Sequence, residues 1–321
     1  MVAVAVLDDW QGVAASMADW SALKARADVQ FHREPLGSED AAAAALANVE
    51  IVLTMRERMA FPARLVARLP ALRMLSLSGA RAPVIDTAAL MAHGVTVCTT
   101  GGARSGIATA ELALGLMLAA ERRIAAGDAA IRAGGFQSDI APGRALDGRT
   151  LGIIGLGRIG ALMARYGSAL GMRVLAWSQN LTDERAAACG AERVSKETLF
   201  AEADAISVHL VLSDRTRGIV SAEDIARMKP GAIIVNTSRA PLIDQTALLA
   251  AVHAGRVVAA LDVYDEEPLP PDDAWRTAPN TVLTPHLGYG VTDVFRQFYT
   301  EQVENALAFL DGKPVRVMKP G

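Results

Sequence analysis

Short apolar segments alternate with longer amphipathic segments along roughly the first third of the chain. The short segments are bounded by polar residues, glycine or proline, and they suit buried β-strands. The predicted strands are Val2–Leu7, Val29–His32, Glu50–Thr54, Leu72–Leu77 and Val95–Cys98. Alanine- and leucine-rich segments between them, such as Ala14–Ala27 and Ser38–Ala47, predict helices. Because parallel strands need crossover connections, this alternation predicts a parallel sheet wrapped by helices.

The alternation breaks after Cys98 and resumes near residue 150. A glycine-rich joint at Gly101-Gly102 leads into a long helical pattern from about Ala103 to Arg132, and a loop follows. The second series contains the predicted strands Leu151–Ile154, Arg173–Trp177, Ala205–Val208, Ala232–Val235, Val257–Leu261 and Val282–Leu283. An amphipathic helix is predicted over Val294–Leu310. The pattern therefore predicts two α/β domains joined near residues 99–103, and it leaves open which domain the last helix packs on.

Composition narrows the class of protein. The 321 residues are 51% hydrophobic and 21% charged, which is ordinary for a globular protein and argues against disorder. The 32 Lys and Arg against 35 Asp and Glu leave a net charge of −3, so we expect no nucleic-acid partner. Cys98 and Cys189 are too few and too far apart for a disulfide framework or a zinc cluster. We therefore expect reduced thiols in a cytoplasmic protein, with no metal site.

The sequence also argues against a secreted or membrane protein. The first ten residues lack a basic region and reach two aspartates after a short apolar run, so we expect no signal peptide. The most apolar helical stretch, Leu112–Ala120, is bounded by Glu111 and Glu121 and is far shorter than a membrane span. An enzyme, a binding module and a structural subunit all remain open at this point.

A glycine motif opens the second strand–helix series. Gly155, Gly157 and Gly160 form G-x-G-x-x-G directly after a predicted strand and at the start of a helical pattern. The first glycine permits a tight turn, the second lets a pyrophosphate approach the backbone, and the third lets helix and strand pack closely. The sequence therefore predicts a dinucleotide site, to which Arg158 and Ile159 of the same turn also belong.

The residue expected to bind the adenosine ribose departs from the usual pattern. An acidic side chain normally follows the second strand, about twenty residues after the glycines. Here Ser178, Gln179 and Asn180 follow the predicted strand Arg173–Trp177. Because the carboxylate that would repel a 2′-phosphate is absent, we expect NAD or NADP as cofactor, with NADP tolerated or preferred and Arg185 a candidate phosphate contact. The alternative, that NAD binds through Ser178 and the backbone, stays open.

Three later segments place reactive side chains just after predicted strands. Arg239 ends the segment NTSR, Glu267 directly precedes Pro268, and His286 follows a proline in TPHLG. Arginine can hold a carboxylate through two hydrogen bonds, and a histidine paired with a carboxylate can exchange a proton near neutral pH. Each side chain alone suits a solvated or packed structural role. Together, however, the three residues follow predicted strands in a chain that also carries a nucleotide motif. This combination favours redox chemistry at a carbonyl beside a carboxylate.

These motifs resemble the D-isomer-specific 2-hydroxyacid dehydrogenase family, which includes phosphoglycerate, glyoxylate/hydroxypyruvate and D-lactate-type enzymes. The resemblance covers nearly the whole chain and is most specific in GLGRIG, NTSR, DVYDEEP and TPHLG. It implies an α/β fold with a Rossmann cofactor-binding domain, residues 101–289, inserted into a flavodoxin-like substrate domain, residues 1–100 plus 290–321. It also implies hydride transfer between a nicotinamide cofactor and a small D-2-hydroxy acid or 2-keto acid. The family is usually dimeric through the cofactor domain, so a homodimer is implied.

The resemblance also implies roles for individual residues. Arg239, Glu267 and His286 match the catalytic trio, with Glu267 paired to His286. Further cofactor-side positions are implied at Thr237, His209 and Asp262. The family's usual H-x-P is His209-Leu210-Val211 in this chain, so one proline that lines the cofactor is lost.

The resemblance implies a second set of residues that contact the substrate. Gly79 and Ala80 would offer backbone N–H groups to the substrate carboxylate, together with Arg239. Arg56 matches a position that faces the distal phosphate in phosphoglycerate-type members, although a surface arginine suits the sequence equally well. Arg81 and Pro83 alter the family's usual G-x-D-x-I-D loop, so the particular 2-hydroxy acid stays open.

Three other functions are compatible with the same fold. Formate dehydrogenases pair the histidine with a glutamine, so Glu267 argues against that activity. Phosphite dehydrogenase keeps the Arg/Glu/His set, and only substrate tests separate it. Some relatives are dinucleotide-sensing corepressors that keep the trio and bind a peptide, but nothing in the sequence indicates such a cleft.

Overall fold

The computed structural model describes residues 1–138 and 140–319. The chain divides into two compact units, one formed by Met1–Arg104 with the segment from Val291 onward, and the other by Ser105–Gly290. The predicted domain boundaries fell after residues 100 and 289, compared with 104 and 290 in this division. The helix near the C-terminus, which the sequence pattern left unassigned, belongs to the first unit.

Each unit contains one parallel sheet, and together these confirm the predicted α/β class. The first sheet contains β1 (Val2–Val6), β2 (Ala27–Phe31), β3 (Ile51–Leu53), β4 (Met74–Ser76) and β5 (Thr96–Cys98). The second contains β6 (Thr150–Ile154), β7 (Arg173–Trp177), β8 (Glu192–Arg193), β9 (Ala205–Val208), β10 (Ala232–Asn236), β11 (Val257–Leu261) and β12 (Thr281–Leu283).

The strand orders identify both folds. The first sheet has the order β2-β1-β3-β4-β5, which is that of flavodoxin. The second has the order β12-β11-β10-β9-β6-β7-β8, so the strands spread to both sides of β6 as in a Rossmann fold. Strand β8 was not predicted, because its two exposed charged residues carry no apolar pattern.

Most of the helices connect successive strands of these sheets. They are α1 (Ala14–Met17), α2 (Ser21–Lys24), α3 (Glu39–Leu46), α4 (Ala63–Val66), α5 (Thr87–Ala92), α6 (Ala103–Glu121), α7 (Ile124–Arg132), α8 (Arg158–Ala169), α9 (Asp183–Ala187), α10 (Lys196–Glu202), α11 (Ala222–Arg227), α12 (Gln245–His253) and α13 (Thr292–Leu310). Short 3₁₀ turns cover Ala240–Leu242 and Ala274–Thr277.

Two predicted helices are interrupted in the structure. The helix expected over Ala14–Ala27 is α1 and α2, because the Asp19 side chain accepts the Ser21 N–H at 2.9 Å and competes with the helical backbone bond. The helix expected over Ala103–Arg132 is α6 and α7, because Arg123 has a positive φ of 52°. The carbonyl of Glu121 at the end of α6 accepts the N–H of Arg144 from a later loop.

Strand β10 of the second sheet is apolar on both faces and becomes polar only at its carboxyl end. Ile233 and Val235 of β10 pack into one cluster of buried residues, and Ala232 and Ile234 pack into the other. Asn236 is the first polar residue along this strand and lies at its carboxyl end. Buried polar chemistry in the second unit is therefore concentrated where the parallel strands end.

Candidate functional site

His286 and Glu267 form a close pair in the loops that follow β12 and β11. The Nδ1 atom of His286 lies 2.5 Å from Oε2 of Glu267. The other carboxylate oxygen of Glu267 accepts the N–H of Tyr264 at 2.9 Å, which fixes the carboxylate in turn. The two side chains are 23% and 30% exposed. Because Nδ1 is used by the carboxylate, Nε2 is the histidine nitrogen left to exchange a proton.

The charges around Glu267 keep it ionised. Burial raises the pKa of Glu267, but the hydrogen bond and charge of His286, the Tyr264 N–H and the charge of Arg239 together lower it below its usual value. An ionised Glu267 stabilises positive charge on the His286 ring whenever the ring carries a second proton.

Arg239 comes from the turn that follows β10. Nη1 of Arg239 donates to the carbonyl of Ser238 at 2.6 Å, and the carbonyl of Arg239 accepts from Nδ2 of Asn236 at 2.9 Å. Oγ of Ser238 donates to the carbonyl of Val208, which ties the turn to β9. Three neighbouring strands thus supply the three predicted catalytic residues, and the positive charge of Arg239 reaches Glu267.

Asp262 holds the loop that carries His286. Its side chain is fully buried, and Oδ1 accepts from Oγ1 of Thr284 at 2.6 Å and the N–H of Leu287 at 2.7 Å, while Oδ2 accepts the N–H of Gly288 at 2.9 Å. The carbonyl of Asp262 also accepts the N–H of His286, which has a φ of 54°. Sequence reasoning gave Asp262 only a cofactor-side role and missed this contact network, which a sequence pattern does not reveal.

The glycine turn has the geometry of a dinucleotide cradle. Gly155 has a φ of 95°, and a Cβ there would come within 2.7 Å of the carbonyl oxygen of His209. A Cβ at Gly160 would come within 2.2 Å of the carbonyl oxygen of Gly155, so both positions require glycine. A Cβ at Gly157 would meet no atom within 4 Å. That open space at the start of the twelve-residue helix α8 is where a pyrophosphate can approach the backbone.

The two side chains of the same turn have different surroundings. The guanidinium of Arg158 lies close to Gly106 of α6. A Cβ at Gly106 would come within 3.0 Å of Nε of Arg158. Ile159 packs against an apolar cluster of the second unit. Ile159 therefore contributes to the core behind the turn.

Two buried polar atoms at the same sheet edge support the fit to a dinucleotide. Oγ1 of Thr237, after β10, and Nδ1 of His209, after β9, have no hydrogen-bond partner in the part of the chain that the structure describes. Nε2 of His209 lies 2.8 Å from Oγ of Ser207, and burial lowers the pKa of His209 to about 4, so the ring is neutral at pH 7. Unpartnered buried polar groups are costly, and a polar ligand would satisfy them.

Ser178 follows β7, where the ribose-binding acid is expected. The three residues after this strand carry no carboxylate. Arg185, the phosphate contact suggested by the sequence, lies in α9 with an exposed side chain.

In the first unit, the structure brings Arg56 against Gly79. The N–H of Arg56 donates to Oγ of Ser78 at 2.5 Å, and a Cβ at Gly79 would come within 2.1 Å of Nη1 of Arg56. The Arg56 side chain is only 21% exposed, so it is not a freely solvated surface arginine. The N–H of Gly79, which the resemblance places toward the substrate, donates to Oγ1 of Thr100 at 2.7 Å within this unit. The neighbouring residue Ala80, the other expected backbone donor, is exposed.

In residues 1–138 and 140–319, no helix has the length and apolar character that a membrane span requires. In the same residues, no group of three or more histidine, cysteine, aspartate or glutamate side chains is placed to hold a metal ion.

Comparison with known proteins adds independent evidence. Residues 114–288 match the family model described as D-isomer specific 2-hydroxyacid dehydrogenase, NAD binding domain. The chain is 34% identical over 265 residues to a D-3-phosphoglycerate dehydrogenase of Archaeoglobus fulgidus, covering 82% of this chain and 50% of that protein. It is 35% identical over 274 residues to a glyoxylate reductase of Aeropyrum pernix, covering 80% of this chain and 82% of that protein.

A solved structure agrees with these similarities. A phosphoglycerate oxidoreductase from Vibrio cholerae superposes with a TM-score of 0.92 at 35% identity, covering 97% of this chain and 100% of that one. The chain spans about half the length of the curated phosphoglycerate dehydrogenases that it matches. The match to the family model, together with the similarity over most of a glyoxylate reductase, shows that the chain belongs to the D-isomer specific 2-hydroxyacid dehydrogenase family.

Proposed function

We propose that the protein is an oxidoreductase that interconverts a small D-2-hydroxy acid and its 2-keto acid with a nicotinamide cofactor. The observation that carries the proposal is the His286–Glu267 pair, 2.5 Å apart, on the same sheet edge as the glycine turn. The charge of Arg239 acts on this pair, which provides a carboxylate-binding group beside a proton donor. The names of the relatives, which include reductases of glyoxylate and hydroxypyruvate, support the same chemistry.

In this proposal, each catalytic residue of the second unit has a separate role. The guanidinium of Arg239 holds the substrate carboxylate and orients the adjacent carbonyl. When bound, a reduced nicotinamide supplies the hydride that reaches the carbonyl carbon. Nε2 of protonated His286 gives its proton to the carbonyl oxygen, and in the oxidative direction neutral His286 takes the proton back. Glu267 stabilises the charged ring through Nδ1. From the first unit, Ala80 and Arg56 remain the proposed substrate contacts.

We also propose that the protein accepts NADP as well as NAD. The support is Ser178 at the position of the usual acid, because no carboxylate there would repel a 2′-phosphate. Steady-state kcat/KM values for the two cofactors, measured with one substrate, test this proposal. Comparable values or a preference for NADP are expected, and strict use of NAD would contradict it.

We further propose a homodimer formed through α6, α7 and the loop that follows. Three large apolar side chains of this segment are 54%, 58% and 71% exposed, namely Ile124, Ile131 and Phe136. Ile124 and Ile131 are seven residues apart in α7 and so lie on the same face of that helix, and exposed apolar surface is typical of interfaces. A cytoplasmic location is proposed from the cysteine content alone, with Cys98 and Cys189 both unpaired.

The experiment that tests the activity is a panel assay of the purified chain. Glyoxylate, hydroxypyruvate, phenylpyruvate, pyruvate and 3-phosphoglycerate are each offered with both cofactors, and the change in reduced-nicotinamide absorbance is followed. Turnover of at least one acid is expected. Tight dinucleotide binding without turnover of any of them would instead favour a corepressor-like protein, and phosphite added to the panel tests the remaining rival.

A further inference from the structure

A polar cavity lies at the carboxyl ends of β7 and β8. It has a volume of about 480 Å³. The residues that line it are Trp177, Arg193, Val194, Ser195, Lys196 and Glu197. Trp177 ends β7 and directly precedes Ser178, the residue at the ribose position. The cavity therefore begins where the adenosine end of a dinucleotide is expected.

Backbone bonds connect this cavity to the glycine turn. The N–H of Gly155 donates to the carbonyl of Trp177 at 2.8 Å, so the turn and the end of β7 are directly joined. In the sheet, Ile154 pairs with Trp177, and Ala176 pairs with Arg193. Arg193 thus lies two strands from the glycine turn, on the same carboxyl edge. A ligand whose pyrophosphate rests on that turn would extend its adenosine toward β7 and β8.

The two basic side chains of the cavity differ in how firmly they are held. Nζ of Lys196 lies 2.6 Å from the buried carboxylate of Asp224 and donates to the carbonyl of Ile219, so it is fixed in a structural pair. Nη1 of Arg193 lies 3.1 Å from Oδ1 of Asp183, and these side chains are 49% and 76% exposed. Such a solvated ion pair contributes little to stability. Arg193 can therefore leave Asp183 and pair with a ligand anion at a small cost in free energy.

We propose that Arg193 selects NADP by pairing with the 2′-phosphate of the adenosine ribose in this cavity. The inference rests on the proposed dinucleotide function and names a residue that the sequence did not indicate. The planar guanidinium of arginine matches phosphate geometry through two parallel hydrogen bonds. The indole of Trp177, which already lies under Lys196 Nζ at 5.6 Å, provides a flat wall for the ligand. Asp183 opposes the binding, because its carboxylate competes for the same guanidinium.

Isothermal titration calorimetry of the full chain with adenosine 2′,5′-bisphosphate and with AMP tests the proposal without turnover. For the wild type, the 2′-phosphate is expected to tighten binding. The affinity ratio is the affinity for adenosine 2′,5′-bisphosphate divided by that for AMP. Arg193→Ala should lower this ratio by about tenfold or more, as expected for loss of a charge-assisted hydrogen bond, and should leave the AMP affinity unchanged. Asp183→Asn should raise the ratio.

Arg173→Ala is the matched control. Arg173 is also 49% exposed and ion-paired, with Glu192 and Glu202, but it lies at the amino end of β7. Its loss changes the net charge equally and should leave the affinity ratio unchanged. The role of Arg193 would be overturned if Arg193→Ala left the ratio unchanged, as it would if both ligands lost affinity equally, or if Arg173→Ala lowered the ratio as much. In either case, AMP binding would still support the dinucleotide site. Failure of both ligands to bind the wild type would contradict the dinucleotide function itself.

Discussion

At the scale of single residues, the proposed chemistry depends on one nitrogen of His286. We predict that His286→Ala lowers kcat by about 10²–10⁴-fold, because the carbonyl oxygen loses its proton donor. Dinucleotide affinity should change much less, since His286 is not part of the glycine turn at the start of α8. Steady-state kinetics and a dinucleotide titration measure the two effects separately. Near-normal turnover in this variant would refute the assignment.

Glu267→Gln provides the matched control for charge. Glutamine has the same size and can still accept a hydrogen bond from Nδ1 of His286, but it has no negative charge. Because the positively charged ring is then less favoured, the reductive rate should fall, and its decline with rising pH should begin at lower pH. An unchanged pH profile would show that the carboxylate does not act through the histidine.

Asp8 provides a prediction about stability. It is 2% exposed, and burial raises its pKa from 3.8 to about 6, although the charge of Arg58 and a hydrogen bond with Trp10 oppose this. The folded protein therefore retains a proton that the unfolded chain has lost, so Asp8 destabilises the fold as pH rises from 3.8 through about 6. Asp8→Asn should raise the free energy of unfolding by about 1–3 kcal/mol at pH 8 and by much less at pH 4. Denaturant titrations at both pH values measure this, and equal effects would contradict it.

Some contacts of the candidate site could be predicted from the sequence and others could not. Arg239, Glu267 and His286 stand out because reactive side chains after apolar strands have few structural reasons to be there. The N–H of Gly79 was expected to face a substrate, but the hydroxyl of Thr100 accepts it. That residue follows a different strand, so only the folded sheet brings the two groups together.

At the scale of elements, the loop of residues 284–288 depends on Asp262. We predict that Asp262→Asn lowers the free energy of unfolding by about 1–3 kcal/mol, because the new NH₂ group faces a backbone N–H instead of accepting from it. The loop that carries His286 should also loosen, so kcat should fall. Thr284→Val removes only one bond to this carboxylate and should have a smaller effect. Thermal unfolding and kinetics measure both, and equal losses in the two variants would contradict this interpretation.

Strand positions were easier to predict than helix ends. Apolar runs buried on both faces of a sheet mark strands such as β10 and β11 clearly, and these appear close to where the pattern placed them. Helices α1 and α2 were predicted as a single helix, and so were α6 and α7. The interruptions arise from a side-chain hydrogen bond at Asp19 and a left-handed backbone at Arg123, which leave apolar periodicity almost unchanged.

At the scale of the whole molecule, the charge balance fits a small anionic substrate. A net charge of −3 gives no broad attraction for polyanions. A small carboxylic acid needs only local groups, such as the guanidinium of Arg239. The division of the chain into a flavodoxin-ordered unit and a Rossmann-ordered unit follows from the strand pattern only after the family resemblance is added, because the pattern alone did not assign the last helix.

The proposed dimer gives a prediction at this scale. We predict that Phe136→Asp shifts the protein to a monomer, because a charge replaces an apolar side chain that is 71% exposed in the chain alone. Val315→Asp, which changes a 41% exposed apolar residue of the first unit, is the control and should leave the dimer intact. Light scattering after size-exclusion chromatography gives the molar mass. A monomeric wild type would contradict the proposed assembly.

The most direct test of the proposed activity follows the hydride itself. A reduced nicotinamide with deuterium at both C4 positions is offered with the best 2-keto acid of the panel other than glyoxylate, whose product has no stereocentre. The product is analysed by NMR and chiral chromatography. We expect deuterium on the carbon next to the carboxylate, D configuration at that carbon, and loss of the product signal in His286→Ala. Deuterium absent from that carbon, or an L product, would contradict the account.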